Sequence, residues 1–597
     1  MARDKRDVLR AATAALDGHR AADGLGHLWE LVDHPHLGEA DFAASLRLMA
    51  RAYAMLNMGR ATATILLYLK DYQGAWRASE DPRDRARVRI GQGQLVEAAK
   101  LYGEAGWFGH AAILLEDAGE VRNARVLWER LADDPRLGGD PYVHGLVRFN
   151  LGRACTALED LSAARRATVR SMHLLEAAAD GYEAAGLRER AFDCYQILLT
   201  LGKSGAFENL AEGYINCIRV LTEDNLKYYV LQYYEDFQIL AVARKEYHAA
   251  ATLFREAAQF CRRHDLPYER HYQQKAAETQ VLSARKLLVD GTPEMAENAF
   301  AAAIDLFNDL GLYSEIRAVY GELSTIDLGE KRQARYVRLQ ARLANEVDDN
   351  VASIPFPDYL RMDTAYPEIW RLDVIEWEQH GDAAETMGEV LLDPKWPDFT
   401  RRRALLCRLH QLGSAGGTDD QGYRSPEVLA GLAQRLGRVE IYTALAPLEK
   451  LLHHEEVGVR AAVLEAARQL FFKRTFGIIM RGLDDEAPAV RRQALEAVHQ
   501  LHFGHAFDPL QRIYRSSGDE QVRAAALNSI GRIPSLEAVE MLIDAMRQGS
   551  PKERAQVRGL LVRAEHTDVD GLLQRAERAE SGTTKEAIRA VLAARGR

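Results

Sequence analysis

A dipeptide of Val or Ile followed by Arg recurs five times near the C-terminus. Successive copies lie 31, 32, 35 and 31 residues apart. A nearly constant period of this length is typical of stacked helical hairpins, each of which buries its apolar face against its neighbours. The pattern predicts an array of helices rather than a globular enzyme core. The five copies are Val459-Arg460, Val490-Arg491, Val522-Arg523, Val557-Arg558 and Ile588-Arg589.

The residues around each dipeptide have the pattern of one amphipathic helix. Apolar residues follow at fixed offsets, as in Val459, Val463 and Leu464, and these offsets fall on one helical face. Carboxylates precede four of the five arginines by four to six residues. They are placed to cap the helix start, and also to meet an arginine of the next repeat. The predicted structural ladder comprises Arg460, Arg491, Arg523, Arg558 and Arg589.

Segments of similar length separate these helices and complete an antiparallel pair in each repeat. The predicted partner helices cover 439–452, 475–483, 505–514, 536–547 and 569–578. Over 438–597 the sequence resembles HEAT repeats of the short, roughly thirty-residue kind, also seen in phycobilin lyase-like proteins. The resemblance implies a fold and almost nothing about function. Gly559 and Glu565 depart from the pattern, so a distorted fourth repeat is expected.

A second pattern recurs upstream, in which Ala is followed four residues later by an aromatic residue and seven residues later by Ala or Leu. Examples are Ala98-Tyr102-Ala105, Ala124-Trp128-Leu131 and Ala296-Phe300-Ala303. A small residue lets two helices approach closely, and the aromatic ring fills the gap beside it. The pattern resembles the second helix of tetratricopeptide repeats, in a degenerate form. Gly106 and Gly119 are predicted to end two short helices.

These patterns predict an all-α, two-part α-solenoid: a degenerate tetratricopeptide-like array followed by a HEAT array. The predicted parts are an N-terminal helical region 1–90, tetratricopeptide-like repeats 91–350, a junction 351–380 rich in Pro and aromatic residues, a degenerate HEAT-like pair with a Gly-rich loop 381–425, and HEAT repeats 426–597. Three prolines exclude a long helix over the first half of the junction. The junction contains Trp370 and Trp377, and two interpretations stay open for it: structural packing and a partner-binding site.

Two further groups of residues are candidates for partner binding. Segment 214–237 is dense in aromatic residues, among them Tyr228, Tyr229, Tyr233 and Tyr234. Aromatic side chains often anchor interfaces, although they also pack between helices. The basic triple Arg401, Arg402 and Arg403 could contact an acidic partner or a phosphate, or form a solvated helix face with intrachain pairs.

The sequence predicts no catalytic, cofactor-binding or metal-binding residue. Gly202-Lys203-Ser204 resembles the end of a phosphate-binding loop, but the required upstream Gly is Ile197. His499, His502 and His505 are spaced by three, yet Gly504 suggests that the helix ends between them. No Gly-x-Ser-x-Gly motif occurs. The five cysteines form no Cys-x-x-Cys pair, as expected for packed thiols in a reducing compartment.

Charge and hydropathy restrict the location and the partners. The net charge is −10, and residues 426–597 carry 25 basic against 23 acidic residues, so the acidic excess lies upstream. A non-specific nucleic-acid binder would need a basic stripe, and none is evident in the linear sequence. No uninterrupted apolar stretch could cross a membrane. A cytoplasmic location is expected, and the abundance of Arg and Ala suggests a bacterial source.

Three functions are compatible with these patterns. The one expected is a non-catalytic scaffold or adaptor that binds other proteins through solenoid surfaces, with homo-oligomerisation left open. The second is a nucleic-acid-binding HEAT protein, which the charge distribution disfavours. The third, by analogy with lyase relatives, is an enzyme-assisting subunit, which would require a pocket with converging polar groups.

Overall fold

The computed structural model describes residues 5–34, 37–203, 205–357, 369–414, 425–566 and 568–596. Within these ranges the chain forms 33 α-helices and a few short 3-10 helices, with no β-strand. The predicted all-α helical-repeat fold is confirmed. The described residues divide into two compact units, Met1–Cys194 with Pro367–Arg597, and Tyr195–Tyr366.

The helices follow one another with short connections. The first twelve are α1 Lys5–Asp17, α2 Ala21–Val32, α3 Glu39–Met55, α4 Gly59–Tyr68, α5 Tyr72–Ala78, α6 Pro82–Gly91, α7 Leu95–Glu104, α8 Phe108–Asp117, α9 Val121–Ala132, α10 Pro141–Ala157, α11 Leu161–Ala184 and α12 Arg188–Lys203. The next seven are α13 Phe207–Glu223, α14 Lys227–Ala243, α15 Tyr247–Arg263, α16 Glu269–Val289, α17 Pro293–Asp309, α18 Tyr313–Thr325 and α19 Glu330–Arg342.

Fourteen helices remain, and the first of them, α20, lies within the predicted junction. They are α20 Ile369–Gln379, α21 Ala383–Val390, α22 Asp398–Ser414, α23 Pro426–Val439, α24 Leu445–Leu452, α25 Val457–Ala467, α26 Thr475–Leu483, α27 Pro488–Gln500, α28 Phe507–Ser516, α29 Glu520–Ile530, α30 Leu536–Gln548, α31 Pro551–Arg563, α32 Val569–Ala579 and α33 Gly582–Ala594. Helices α24, α26, α28, α30 and α32 are the predicted partner helices, and α21 with α22 is the predicted preceding pair. Most of the predicted Gly-rich loop, 415–424, lies outside the described residues.

The C-terminal helices have a more regular period than the dipeptides indicated. Helices α25, α27, α29, α31 and α33 begin 31, 32, 31 and 31 residues apart. The fourth residue of each helix is Arg460, Arg491, Arg523, Arg554 and Lys585. Val557-Arg558 and Ile588-Arg589 lie one helical turn later, which explains the single step of 35 residues. The placement of Arg558 and Arg589 in the ladder was therefore wrong by one turn.

The fourth repeat is regular, which corrects the expected distortion. Helix α31 runs without interruption past Gly559, which is exposed and where a Cβ would lie 3.9 Å from Arg563 Nη2, an ordinary contact. Its N-terminus has a complete capping box between Ser550 and Glu553. Glu553 is buried, and it also accepts a hydrogen bond from Arg523 Nε, 2.9 Å away, in the preceding repeat.

The arginines at the fourth helical position stabilise the helix starts. Nη1 of Arg460 donates to the carbonyls of His454 and Glu455, and Arg491 and Arg523 make the same bonds to residues five and six before themselves. Arg460 also reaches Asp485 of the next repeat at 2.8 Å. Arg460 and Arg523 thus pair with Asp485 and Glu553 of the following repeat, whereas Arg491 bonds to carbonyls of its own repeat. Arg558 is exposed, and Arg554 donates to the Gly549 carbonyl in its place.

Upstream, the predicted turns and stripes are present. Gly106 and Gly119 adopt φ values of 80° and 79°, and each allows a backbone bond that closes the helix end, such as Trp107 N–H to Tyr102 O at 2.9 Å. The unit Tyr195–Tyr366 contains α13–α19, whose neighbouring helices pack in sequence. Within it, Ala296, Phe300 and Ala303 are fully buried, as the stripe predicted.

A buried charged network fastens α21 and α22 to the N-terminal helices. Arg87 and Arg408 are each 1% exposed, as is Glu385. Arg87 Nη2 donates to Glu385 at 2.7 Å, and Arg408 Nη2 donates to Asp84 at 2.6 Å. Although burial opposes its ionisation, the guanidinium groups of Arg87 and Arg408 hold the pKa of Glu385 well below its ordinary value. This network positions α22, and α22 in turn carries the arginine triple.

Only glycine fits at the centre of this network. A Cβ on Gly388 would lie 2.5 Å from Arg408 Nη1 and 2.7 Å from Arg87 Nε. The absence of a side chain at Gly388 therefore leaves room beside α21 for the guanidinium groups of Arg87 and Arg408.

Candidate protein-interaction surface

A cleft lined by arginines lies where α2 and α3 meet α22 and α23. We call it the arginine cleft and define it by the residues that line it: Val32, Asp33, His34, Leu37, Phe42, Phe399, Arg402, Arg403, Leu406, Arg435 and Arg438. Its volume is about 410 Å³. The lining residues at the N-terminal helices are more than 350 positions away in the sequence from those of α22 and α23. Only the packing of these helices against each other creates the cleft.

Helical spacing brings the cleft side chains together. Phe399, Arg402, Arg403 and Leu406 follow one another at intervals that place them on one face of α22. Arg435 and Arg438, three residues apart, face the same space from the last turns of α23. Arg401, the remaining member of the predicted triple, instead forms an ion pair with Asp398 in the first turn of α22.

Two of the arginines are fixed by the inner wall of the cleft. Arg435 binds Asp33 through both terminal nitrogens, at 2.7 and 2.6 Å, and its guanidinium lies 4.9 Å from the Trp29 ring centre. Arg402 lies 4.0 Å above the Phe42 ring, a cation–π arrangement. Its Nη2 atom is buried and has no hydrogen-bond partner among the described residues.

The outer edge of the cleft is open. Arg403 donates to the Arg438 carbonyl at 2.6 Å and to Glu440 at 2.9 Å, and lies over the Phe399 ring. Phe399 is 55% exposed, and the Arg438 side chain is also exposed. An exposed aromatic ring beside exposed guanidinium groups is typical of the residues that anchor protein interfaces.

The charge in and beside the cleft favours an anionic ligand. Burial, together with the positive charge of Arg435, lowers the pKa of His410 on the neighbouring face of α22, so this ring is neutral at pH 7. Burial raises the pKa of Cys407 to about 12, which keeps this thiol protonated. Four arginines face the cleft against one carboxylate, Asp33, with Glu440 at the rim.

The predicted tyrosine surface is corrected by the structure, because three of its four members are buried. Tyr228, Tyr233 and Tyr234 pack inside the unit Tyr195–Tyr366. The hydroxyl of Tyr233 accepts a hydrogen bond from Gln196 at 2.9 Å, and burial raises the pKa of Tyr234 to about 12. A side chain held in this way is not available to a partner. Tyr229 is half-buried, and partner binding by it stays a prediction.

The two tryptophans of the junction pack in the unit that contains both termini. Trp370 is buried edge-on against Phe149, with ring centres 5.3 Å apart. Trp377 is half-buried under the Arg136 guanidinium at 5.1 Å. These contacts correct the partner-binding prediction for Trp370, whose ring is already covered. The rest of the junction between residues 358 and 368 lies outside the described residues.

Helix α20 is unusual because its buried face is acidic. Glu378 accepts hydrogen bonds from the backbone N–H groups of Gly109 and His110, at 2.7 and 3.0 Å, at the start of α8. Asp373 accepts from the Tyr142 hydroxyl at 2.6 Å. The positive end of a helix and a hydroxyl donor thus replace the water that these carboxylates lose on burial.

Glu376, on the same helix, faces Arg474 from the C-terminal array. Arg474 donates to Glu376 at 3.0 Å and to both oxygens of Glu449, at 2.9 and 2.8 Å. Burial, reinforced by the charge of Asp373 and opposed by Arg474, raises the pKa of Glu376 to about 7. Although burial opposes it, the charge and hydrogen bonds of Arg474, together with the charges of Arg190 and Arg481, lower the pKa of Glu449. Arg474 thus engages three of the four carboxylate oxygens, while Oε1 of Glu376 is buried with no hydrogen-bond partner among the described residues.

The apparent motifs have structural explanations. Gly202 lies where α12 meets α13, and a Cβ there would be 2.8 Å from the Leu210 backbone. Ser204 lies outside the described residues. Within the described ranges no cluster of three His, Cys, Asp or Glu side chains has the arrangement of a metal site. None of the helices in those ranges combines the length and the hydropathy that a bilayer crossing needs.

The fold and the cleft together define a helical-repeat protein of the α-solenoid class. In agreement, residues 478–561 match the sequence profile of the family described as HEAT repeats. Among solved structures, the chain is similar to one titled "Structure of Naa15/Naa10 bound to HypK-THB", with 12% identity, coverage of 99% of each chain and a TM-score of 0.20. The comparison with curated proteins gives no match.

Proposed function

We propose that this protein is a non-catalytic scaffold or adaptor, located in the cytoplasm, that binds other proteins through surfaces of its helical repeats. The proposal extends to the finer resemblances, namely tetratricopeptide-like repeats upstream, HEAT repeats of the phycobilin lyase type downstream, and a bacterial source. Repeat arrays present long continuous surfaces, and they commonly act in this way.

The observation that carries the proposal is the arginine cleft. Its inner wall is rigid because Arg435 and Arg402 are fixed by Asp33 and Phe42. Its rim leaves Phe399 and Arg438 exposed. A preorganised wall beside an exposed aromatic anchor reduces the entropy that a partner must lose on binding.

The proposal is tested by crosslinking and affinity purification of the full chain from its native cell extract. Wild type is compared with a double variant at the rim, Phe399→Ser with Arg438→Glu. The matched control alters an exposed Phe and an exposed Arg of the C-terminal array, Phe471→Ser with Arg558→Glu. The expected result is at least one protein that binds wild type and the control in nuclease-treated extract.

The outcomes separate the candidate functions. Recovery that disappears with nuclease would replace the scaffold by the nucleic-acid-binding alternative. Recovery of the chain alone, with no other protein at any crosslinker concentration, would also contradict the scaffold.

A further inference from the structure

We infer that the arginine cleft recognises a short acidic segment of a partner protein, in which at least one apolar side chain lies next to the carboxylates. The inference rests on the proposed scaffold function and names the chemistry of its partner. It draws on three properties of the cleft: its unbalanced positive charge, an unsatisfied buried donor, and an exposed aromatic ring.

The charge of the cleft is not neutralised from within. Asp33 is engaged by both terminal nitrogens of Arg435. Glu440 is shared with Arg403 at the rim. Arg402 and Arg438 have no carboxylate partner among the described residues, so two positive charges face one cleft. A ligand that supplies carboxylates would form charge-assisted bonds with both.

Arg402 gives this attraction a direction. Its ring contact with Phe42 fixes the guanidinium plane, and its Nη1 is 3.5 Å from the Leu37 carbonyl. Nη2 is left buried without an acceptor. A buried donor without a partner is unfavourable, and a carboxylate that enters the cleft would also offset the positive charge of Arg402.

The aromatic rim selects for an apolar neighbour. Phe399 is 55% exposed, in contrast to Phe42, which is 4% exposed in the same cleft. A bound peptide that presents only carboxylates would leave the Phe399 ring in water. One Leu, Ile or aromatic residue beside the acidic ones would cover it, and the burial of apolar surface would favour binding.

A protein segment fits this cleft better than a nucleic acid does. Asp33 and Glu440 stand among the arginines, and their charges would repel a continuous line of phosphates. Nucleic-acid binders spread their basic residues along an extended stripe, whereas the cleft measures only about 410 Å³. A peptide can place one or two carboxylates against Arg402 and Arg438 and direct the rest of its chain away from the acidic rim.

The test is selection from random dodecapeptides displayed on phage, with the full chain immobilised. Enriched peptides are expected to contain two or more Asp or Glu residues within three positions of an aromatic or branched apolar residue. A fluorescein-labelled selected peptide should lose at least tenfold in affinity with Arg438→Glu and severalfold with Phe399→Ser, measured by anisotropy. The control variants Arg558→Glu and Phe471→Ser should bind it like wild type.

Several results would overturn the inference. They are enrichment of basic or purely apolar peptides, absence of any enrichment, and acidic peptides whose affinity is unchanged by Arg438→Glu. Displacement of the peptide by a single-stranded oligonucleotide at equal concentration would indicate a nucleic-acid site instead. If extract proteins bind wild type and the cleft variants equally, the scaffold function stands and the cleft is not its binding site.

Discussion

At the scale of single residues, Arg474 gives a pair of carboxylates with opposite pH behaviour. Glu376 has a pKa raised to about 7, so the folded state holds its proton more tightly than the unfolded chain does. The protonated Glu376 therefore stabilises the fold below about pH 4.5, the ordinary pKa of Glu, and this stabilisation is lost as the pH rises towards 7. Glu376→Gln should raise the unfolding temperature relative to wild type at pH 8, by a stabilisation of about 1–3 kcal/mol, and should have little effect at pH 5.

Glu449→Gln is the matched control, since Glu449 binds the same guanidinium and has a lowered pKa. Its carboxylate stabilises the fold above its ordinary pKa, and this stabilisation is lost as pH falls. This variant should lower the unfolding temperature at pH 8. Calorimetry from pH 5 to pH 8 measures both variants. A parallel shift of Glu376→Gln and Glu449→Gln at every pH would contradict the assignment.

Residue patterns predicted buried stripes better than they predicted surfaces. The stripe Ala296, Phe300 and Ala303 was predictable because helical spacing alone decides which side chains share a face. The same reasoning could not decide that Tyr233 faces Gln196 rather than solvent. An aromatic residue belongs to the core if another helix packs over it, and it can anchor a partner if none does. The sequence around the residue does not determine which helix packs there.

At the scale of helices, the position within the first turn decides which arginines stabilise the repeats. Arg554, the fourth residue of α31, donates to the Gly549 carbonyl at 2.8 Å, whereas Arg558 is exposed. Arg554→Ala should lower the stability of the C-terminal array by about 1–2 kcal/mol, because it removes a charge-assisted bond at a helix start. Arg558→Ala should change it by less than about 0.5 kcal/mol. Thermal unfolding of the two variants measures this difference, and equal losses would restore the dipeptide-based register.

The register error has a physical origin. A Val-Arg dipeptide one turn later in a helix lies on nearly the same face, since positions four residues apart share a face. Alignment on the dipeptide therefore hid the slip between Arg523 and Arg558. The signal that reveals it is capping: Pro488 and Pro551 are the first residues of α27 and α31, where proline is favoured. Alignment on these prolines gives Arg491 and Arg554 directly.

At the scale of the whole molecule, the features that the sequence could not predict are those that join distant segments. Arg87 meets Glu385 across 298 positions, and Arg435 meets Asp33 across 402. Neither pair belongs to a repeat pattern, because each joins a helix of the N-terminal region to a helix that follows the junction. The sequence predicted a helical N-terminal region and the helix α22, but not the long-range packing, which includes these pairs and the apolar contacts of Leu405 and Leu409, that brings the elements of the arginine cleft together.

The buried network at Glu385 should therefore couple stability across the unit Met1–Cys194 with Pro367–Arg597. Glu385→Gln keeps the side-chain shape but leaves Arg87 and Arg408 buried without their shared negative charge. Loss of one partner from a buried ion cluster costs about 3–5 kcal/mol. Hydrogen–deuterium exchange should accelerate severalfold in α4 and α6 as well as in α21 and α22. The exposed substitution Glu97→Gln serves as the control and should leave all four helices unchanged. Acceleration confined to α21 would mean that the N-terminal helices hold their structure without the network.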